Sequence, residues 1–226
     1  MSIRILQGSR QLLLAATFFA LFLVSCKEVG PEPLVQGEAR VRLVNAAQNS
    51  ESAEFYADDV KVSSAALTYG EASGYMTVNS GVKKAQVTEH DRIAVSNDVS
   101  FIPGFSYTAF TIINRDDKAE LILISDNVGA VEPGKAAVRV VHLANDVFLG
   151  LNTGISGGIN FVTSQTYKSA SGYFSVDPGV DLLLYSNGAE AYSKRVPGAD
   201  IKEGKIYTIW VDGSASRLNY HLIEYN

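Results

Sequence analysis

From residue 38 onward, apolar and polar positions alternate in short segments rich in Val, Ile, Tyr, Phe and Thr, separated by clusters of Gly, Asn, Asp and Pro. A two-residue period sends successive side chains to opposite faces of a pleated strand, so the pattern predicts β-structure. In the first half the segments are 40–45, 53–56, 75–78, 83–88, 107–113 and 120–125. In the second they are 137–142, 147–152, 173–176, 180–185, 207–211 and 218–225. Asn114-Arg115-Asp116-Asp117 and Asp212-Gly213-Ser214 predict the hairpin turns joining the last two strands of each half. After residue 37 no 12-residue window carries a helical stripe of apolar positions. The predicted fold class is all-β, with antiparallel immunoglobulin-like sandwiches.

The two halves repeat each other. Ala72-Ser73-Gly74-Tyr75-Met76-Thr77-Val78 matches Ala170-Ser171-Gly172-Tyr173-Phe174-Ser175-Val176 at an offset of 98. Upstream, Val41-Arg42-Leu43-Val44-Asn45 matches Val138-Arg139-Val140-Val141-His142 at 97. Downstream, Gly104-Phe105-Ser106-Tyr107-Thr108 matches Gly204-Lys205-Ile206-Tyr207-Thr208 at 100. Three anchors in the same order predict two tandem domains, 38–126 and 135–226. A Gly- and Pro-bearing linker, 127–134, joins them. Limited proteolysis there is expected to leave two separately folded fragments.

The same anchors carry a family resemblance. The opening Val-Arg-aliphatic strand, the central Tyr-x-x-x-Ser-x-Tyr-x-x-Val-x-x-Gly at Tyr69–Gly81 and Tyr167–Gly179, and the late Gly-x-x-Tyr-Thr resemble the bacterial surface family called domain of unknown function 4397. The resemblance covers both halves. It implies immunoglobulin-like or transthyretin-like sandwiches on a secreted or surface protein and brings no activity or catalytic residues. The second half departs from the pattern at Val147-Phe148-Leu149-Gly150-Leu151, which is more apolar than a half-exposed strand should be.

The N-terminus follows different rules. Arg4 and Arg10 precede an uncharged apolar run from Leu12 to Val24, 13 residues long. That is short of the roughly 20 residues that span a bilayer, and fits the core of an export signal. The run ends in Leu23-Val24-Ser25-Cys26, which resembles the lipobox of bacterial lipoproteins. The resemblance implies a signal peptide over 1–25 and diacylglyceryl transfer to Cys26, the chain's one cysteine, as its membrane attachment. Lys27 in place of an Asp points to the outer membrane, and Lys27-Glu28 looks like a short charged signal for the cell surface. Residues 26–37 contain Pro31 and Pro33 and read as a lipidated terminus and tether.

Charge and cysteine content narrow the function classes. With Lys+Arg 19 against Asp+Glu 24, the chain is mildly acidic and unsuited to tracking phosphates, so nucleic acid is not an expected partner. A single cysteine allows no internal disulfide and no multi-thiolate zinc site. Residues 38–126 carry 8 basic and 13 acidic residues and residues 135–226 carry 8 of each, which favours association through the second domain.

Candidate chemistry is sparse. Tyr69/Tyr167, Tyr75/Tyr173 and Tyr107/Tyr207 occur in both halves and read as framework, with Tyr107 and Tyr207 as tyrosine-corner analogues. The non-recurring aromatics Trp210, Tyr185, Tyr192 and Tyr220 are the expected ligand-binding residues. His90, His142 and His221 fit no local metal motif, and Asp58-Asp59 and Asp116-Asp117 read as solvated turn carboxylates. No catalytic residue, metal ligand or cofactor is assigned. The expectation is a lipid-anchored, outer-membrane, non-enzymatic protein acting in binding or display toward an envelope protein or a glycan. The alternatives are a structural spacer or subunit of an envelope assembly, and a hydrolase whose site is built from distant strands.

Overall fold

The computed structural model describes residues 37–226 except 91, 156, 188–193 and 226. Cys26 and the signal, tether and Tyr192 expectations lie outside the described residues. Residues 35–226 form one compact unit. Among the described residues there is no α-helix; a short 3₁₀ turn, Gly198–Asp200, is the one helical element.

The first repeat supplies β1 (Glu38–Asn45), β2 (Ala53–Ala57), β3 (Val60–Lys61), β4 (Met76–Asn79), β5 (Gly81–Glu89), β6 (Arg92–Phe101), β7 (Ser106–Ile113) and β8 (Ala119–Ser125). The second supplies β9 (Ala136–His142), β10 (Leu151–Gly154), β11 (Asn160–Gln165), β12 (Ser169–Ala170), β13 (Phe174–Val176), β14 (Leu182–Ser186), β15 (Lys194–Val196), β16 (Ile206–Ser214) and β17 (Arg217–Tyr225). Each repeat is a two-sheet sandwich with the same strand order. Sheet β4-β1-β7-β8 corresponds to β12/β13-β9-β16-β17, and sheet β3-β2-β5-β6 to β11-β10-β14-β15. Register is shared as well: Val41 lies opposite Tyr107 and Val138 opposite Tyr207.

Three details differ from the sequence reading. The opening strand of each repeat pairs parallel to the penultimate one, β1 with β7 and β9 with β16, within otherwise antiparallel sheets. The predicted strand at 147–152 begins only at Leu151, and Phe148 and Leu149 sit in the preceding loop. The last hairpin turns at Ala215-Ser216, because β16 continues through Asp212 to pair Ser214 with Arg217.

Alternation along the inner strands builds three cores. Val41, Leu43, Tyr107 and Ala109 face the first sandwich's own core. Val138, Val140, Tyr207, Ile209 and Val211 face that of the second. The other faces of the same strands bring Val44, Phe110 and Ile112 against Val141, Trp210, Ile223 and Tyr225. The two inner sheets therefore pack on each other, and the repeats form a four-layer stack. Covered on both faces, β9 is buried at every position, Arg139 and His142 included. The expectation of two separately folding fragments is revised accordingly, since each repeat covers an apolar face of the other.

The recurring motif residues serve this frame. The Ile102 amide donates to the Tyr107 hydroxyl at 3.0 Å, and the Lys202 amide to the Tyr207 hydroxyl at 3.2 Å. Both tyrosines thus tie the loop five residues upstream, as a tyrosine corner does. Ser73 and Ser171 stitch the opening strands. Their hydroxyls accept from the Leu43 and Val140 amides at 2.9 Å, while their own amides donate back to the same residues' carbonyls.

Candidate functional site

The seam between the inner sheets holds the chain's densest polar chemistry. At its centre Arg139, 2% exposed, pairs with Asp126 and donates to Thr208 Oγ1 at 2.8 Å, the Ser125 carbonyl at 2.6 Å and the Tyr225 hydroxyl at 3.1 Å. Asp126 also accepts from Thr108 at 2.7 Å and Tyr75 at 2.8 Å. A buried ion pair persists only with its remaining hydrogen-bonding capacity filled, and this network fills it. Arg42 lies over the Tyr75 and Tyr225 rings, 4.5 and 4.8 Å from their centres.

At one end of the seam, Trp210 and His221 are cross-strand neighbours on β16 and β17, and their rings stack at 3.7 Å and 3°. The Tyr69 hydroxyl donates to Asp212 Oδ2, which also accepts from Gln48 at 3.0 Å. His221 Nε2 lies 3.7 Å from the same carboxylate. Burial pushes the Asp212 carboxyl up, but hydrogen bonds from His221, Gln48 and Tyr69 outweigh it and leave the pKa below the usual value. Burial, reinforced by that carboxylate, drives the Tyr69 phenol well above its ordinary value. Tyr69 is therefore a fixed proton donor to Asp212, unsuited to act as a nucleophile. The cluster clamps residues 46–49 of the first repeat to the second.

These placements separate the residues expected to bind a ligand. Trp210 is 0% exposed in the seam and has no surface to offer. Tyr220 is half-buried against the second sandwich's own core, with Lys194 Nζ 5.8 Å from its ring. Tyr185 lies on the outward face of the outer sheet beside Asn152, and its hydroxyl donates to Asn160 at 2.8 Å. Three aromatics in three different layers cannot converge on one ligand. Trp210, Tyr185 and Tyr220 therefore share no single surface, because strand alternation sends them to opposite sides of two sheets.

The seam also opens to solvent near the Tyr69–Asp212–Gln48 clamp. There the β7–β8 turn of the first repeat meets the 143–150 loop of the second, around a groove of about 360 Å³. Its lining includes Arg115, Phe148, Leu149, Ser164, Thr166 and Tyr167. The loop is built to hold its apolar residues outward. Val147 is buried in the second core, and Phe148 and Leu149, 73% and 67% exposed, follow it into solvent. Gly150 turns the chain back with φ 92°, at a place where a Cβ would lie 2.7 Å from the Ser164 backbone. Asn187 then pins the loop, donating to the Leu149 carbonyl at 2.6 Å and to Ser164 Oγ at 2.9 Å.

Arg115 is set with equal care. Asn114 Oδ1 accepts from the Asp116 and Lys118 amides at 2.9 and 3.1 Å and shapes the turn. Arg115 Nε donates to the Asn145 carbonyl, and the guanidinium carbon lies 4.4 Å from the Phe148 ring centre and 4.7 Å from that of Tyr167. The Tyr167 hydroxyl is buried with no hydrogen-bond partner among the described residues. Behind it His142, 0% exposed, accepts from the Ala144 amide at 3.3 Å through Nδ1, and burial holds its pKa down to about 4.

Sequence reasoning singled out neither Arg115 nor Phe148 as a site residue. The one signal was the excess of apolar residues at 147–151, read there as an anomalous strand. Among the described residues no three His, Cys, Asp or Glu side chains converge to hold a metal ion.

Residues 39–149 match the family described as Domain of unknown function (DUF4397). The match takes in the first sandwich from the second residue of β1, β9 and the following loop as far as Leu149. No curated protein matches the chain. Among solved structures, a candidate cell adhesion protein from Bacteroides uniformis ATCC 8492 is similar at 10% identity and a TM-score of 0.30, over 84% of this chain and 97% of that one. A family 26 carbohydrate-binding module from Eubacterium rectale Amy13K, solved with maltoheptaose, is similar at 11% identity and a TM-score of 0.27, over 81% and 96%.

Proposed function

We propose that this chain is a lipid-anchored protein of the outer membrane that acts by binding, without catalysis, through the groove between its two repeats. The observation that carries the reading is the pair Phe148 and Leu149, held in solvent by a loop whose backbone is pinned on both sides. Exposed apolar side chains on a fixed loop mark recognition surfaces, because burying them on a partner releases water at little ordering cost. The partner is an envelope protein or a glycan. The second repeat is read as a second copy of the matched domain, supported by its identical strand order and register.

Attachment to the membrane rests on Leu23-Val24-Ser25-Cys26. No helix among the described residues is long and apolar enough to cross a membrane. Acyl chains on Cys26 would supply about 0.8 kcal/mol per buried CH₂ group. Replacing residues 1–26 with a cleavable secretory signal should therefore move the protein from the membrane to the soluble fraction. Continued sedimentation with membranes would point to another anchor. For the binding role, in-cell cross-linking followed by purification should recover a partner with the native chain and lose it with Phe148→Asp/Leu149→Asp. Equal recovery from both would remove the groove from the function and favour a spacer.

A further inference from the structure

Resting on the binding role just proposed, we infer that the groove recognises a carboxylate-bearing saccharide, with Arg115 of the first repeat as the anion contact. Arg115 is the charged residue of the groove lining, and its position is fixed before any ligand arrives. Its Nε is spent on the Asn145 carbonyl, and its guanidinium carbon lies over the Phe148 and Tyr167 rings. What a flanked guanidinium leaves open is its edge, where the terminal nitrogens can donate two parallel bonds to a planar carboxylate. Ser164 and Thr166, both exposed, add hydroxyls suited to sugar hydroxyls. Phe148 offers an aromatic face to the apolar side of a pyranose ring. At about 360 Å³ the groove has the size of a small-ligand site, which runs from roughly 300 to 1,000 Å³.

The site is composite. The cation comes from the β7–β8 turn of the first repeat, and the aromatic and hydroxyl groups from the second. The corresponding place beside Tyr69, the counterpart of Tyr167, is closed by the Tyr69–Asp212–Gln48 clamp. The asymmetry of the stack therefore leaves one such site per chain among the described residues.

The test uses the purified full chain in detergent, with oligogalacturonate as the probe and its fully methyl-esterified form as the neutral control. The acidic form should bind, and the ester should bind about tenfold or more weakly, the scale of one charge-assisted contact. Arg115→Lys should lose a similar factor, because a point charge cannot make the paired bonds. Phe148→Ala should weaken binding with an unchanged thermal melt, since the side chain is 73% exposed. Equal binding of acid and ester, or acid binding indifferent to Arg115→Lys, would overturn the carboxylate assignment. If neither sugar binds while Phe148-dependent cross-links to an envelope protein persist, the saccharide inference falls and the binding role stands. If both are missing, both fall.

Discussion

Tyr207 shows how little a recurring aromatic need say about ligands. Its ring is 0% exposed in the second core and its hydroxyl holds the Lys202 amide. Tyr207→Phe removes the bond from the Lys202 amide and a long one, 3.5 Å, to Glu224, and should cost about 1 kcal/mol in urea denaturation, with ligand recovery unchanged. His142 makes a sharper residue-scale case. Burial lowers its pKa from the ordinary histidine value of about 6.5 to about 4. The unfolded chain therefore binds the proton more readily than the folded one between those values. The contribution to stability is full above about pH 6.5 and is lost as pH falls through 4, on the order of 3 kcal/mol in all. His142→Asn, which installs the residue found at Asn45 in the first repeat, should flatten that part of the pH–stability curve. A wild-type and variant curve of equal slope between pH 6.5 and 4 would show that His142 titrates normally.

At the scale of elements, the inner and outer strands obey different rules. Strands β1, β7, β9 and β16 are buried over most of their length, with polar side chains such as Thr108, Arg139 and Thr208 hydrogen-bonded within the seam. Strand β6, with most of its ten residues exposed or half-exposed, lies on an outer sheet; the sequence reading passed over it although Ile93, Val95, Val99 and Phe101 fall at alternate positions, because Asn97 and Asp98 interrupt the run at its middle. The junction between β8 and β9 is set by the Arg139–Asp126 pair, with side chains 2% and 1% exposed. Asp126→Ala strands a buried guanidinium and should destabilise the protein by about 3–5 kcal/mol. Adding Arg139→Met should recover most of that loss, because an apolar pair needs no partner. A double variant as unstable as the single one would mean that packing, rather than the unpaired charge, sets the cost.

For the whole molecule, the shared core predicts a single cooperative unit. Trp210, Phe110, Val141 and Ile223 would be uncovered if the repeats parted. Cleavage within 127–134 should therefore yield a nicked protein that still elutes as one species and melts in one transition. Two resolved transitions by calorimetry, or elution of separate halves, would show that the seam is marginal. The same reasoning makes the groove depend on assembly, since Arg115 and Phe148 belong to different sandwiches.

The sequence alone determined the all-β class, the recurrence of its strand motifs and the framework role of Tyr107 and Tyr207. Those features are local: a two-residue period, glycines at turns and a motif seen twice. It could not tell that the second face of β9 or β16 meets another sheet, because period-2 alternation records that a face is covered and not what covers it. Trp210 looked free to bind for that reason, and tertiary packing placed it in the seam. The groove was beyond reach for a related reason. Arg115 and Phe148 are 33 positions apart in two different repeats, and only the stacking of the inner sheets brings a turn residue of one against a loop residue of the other.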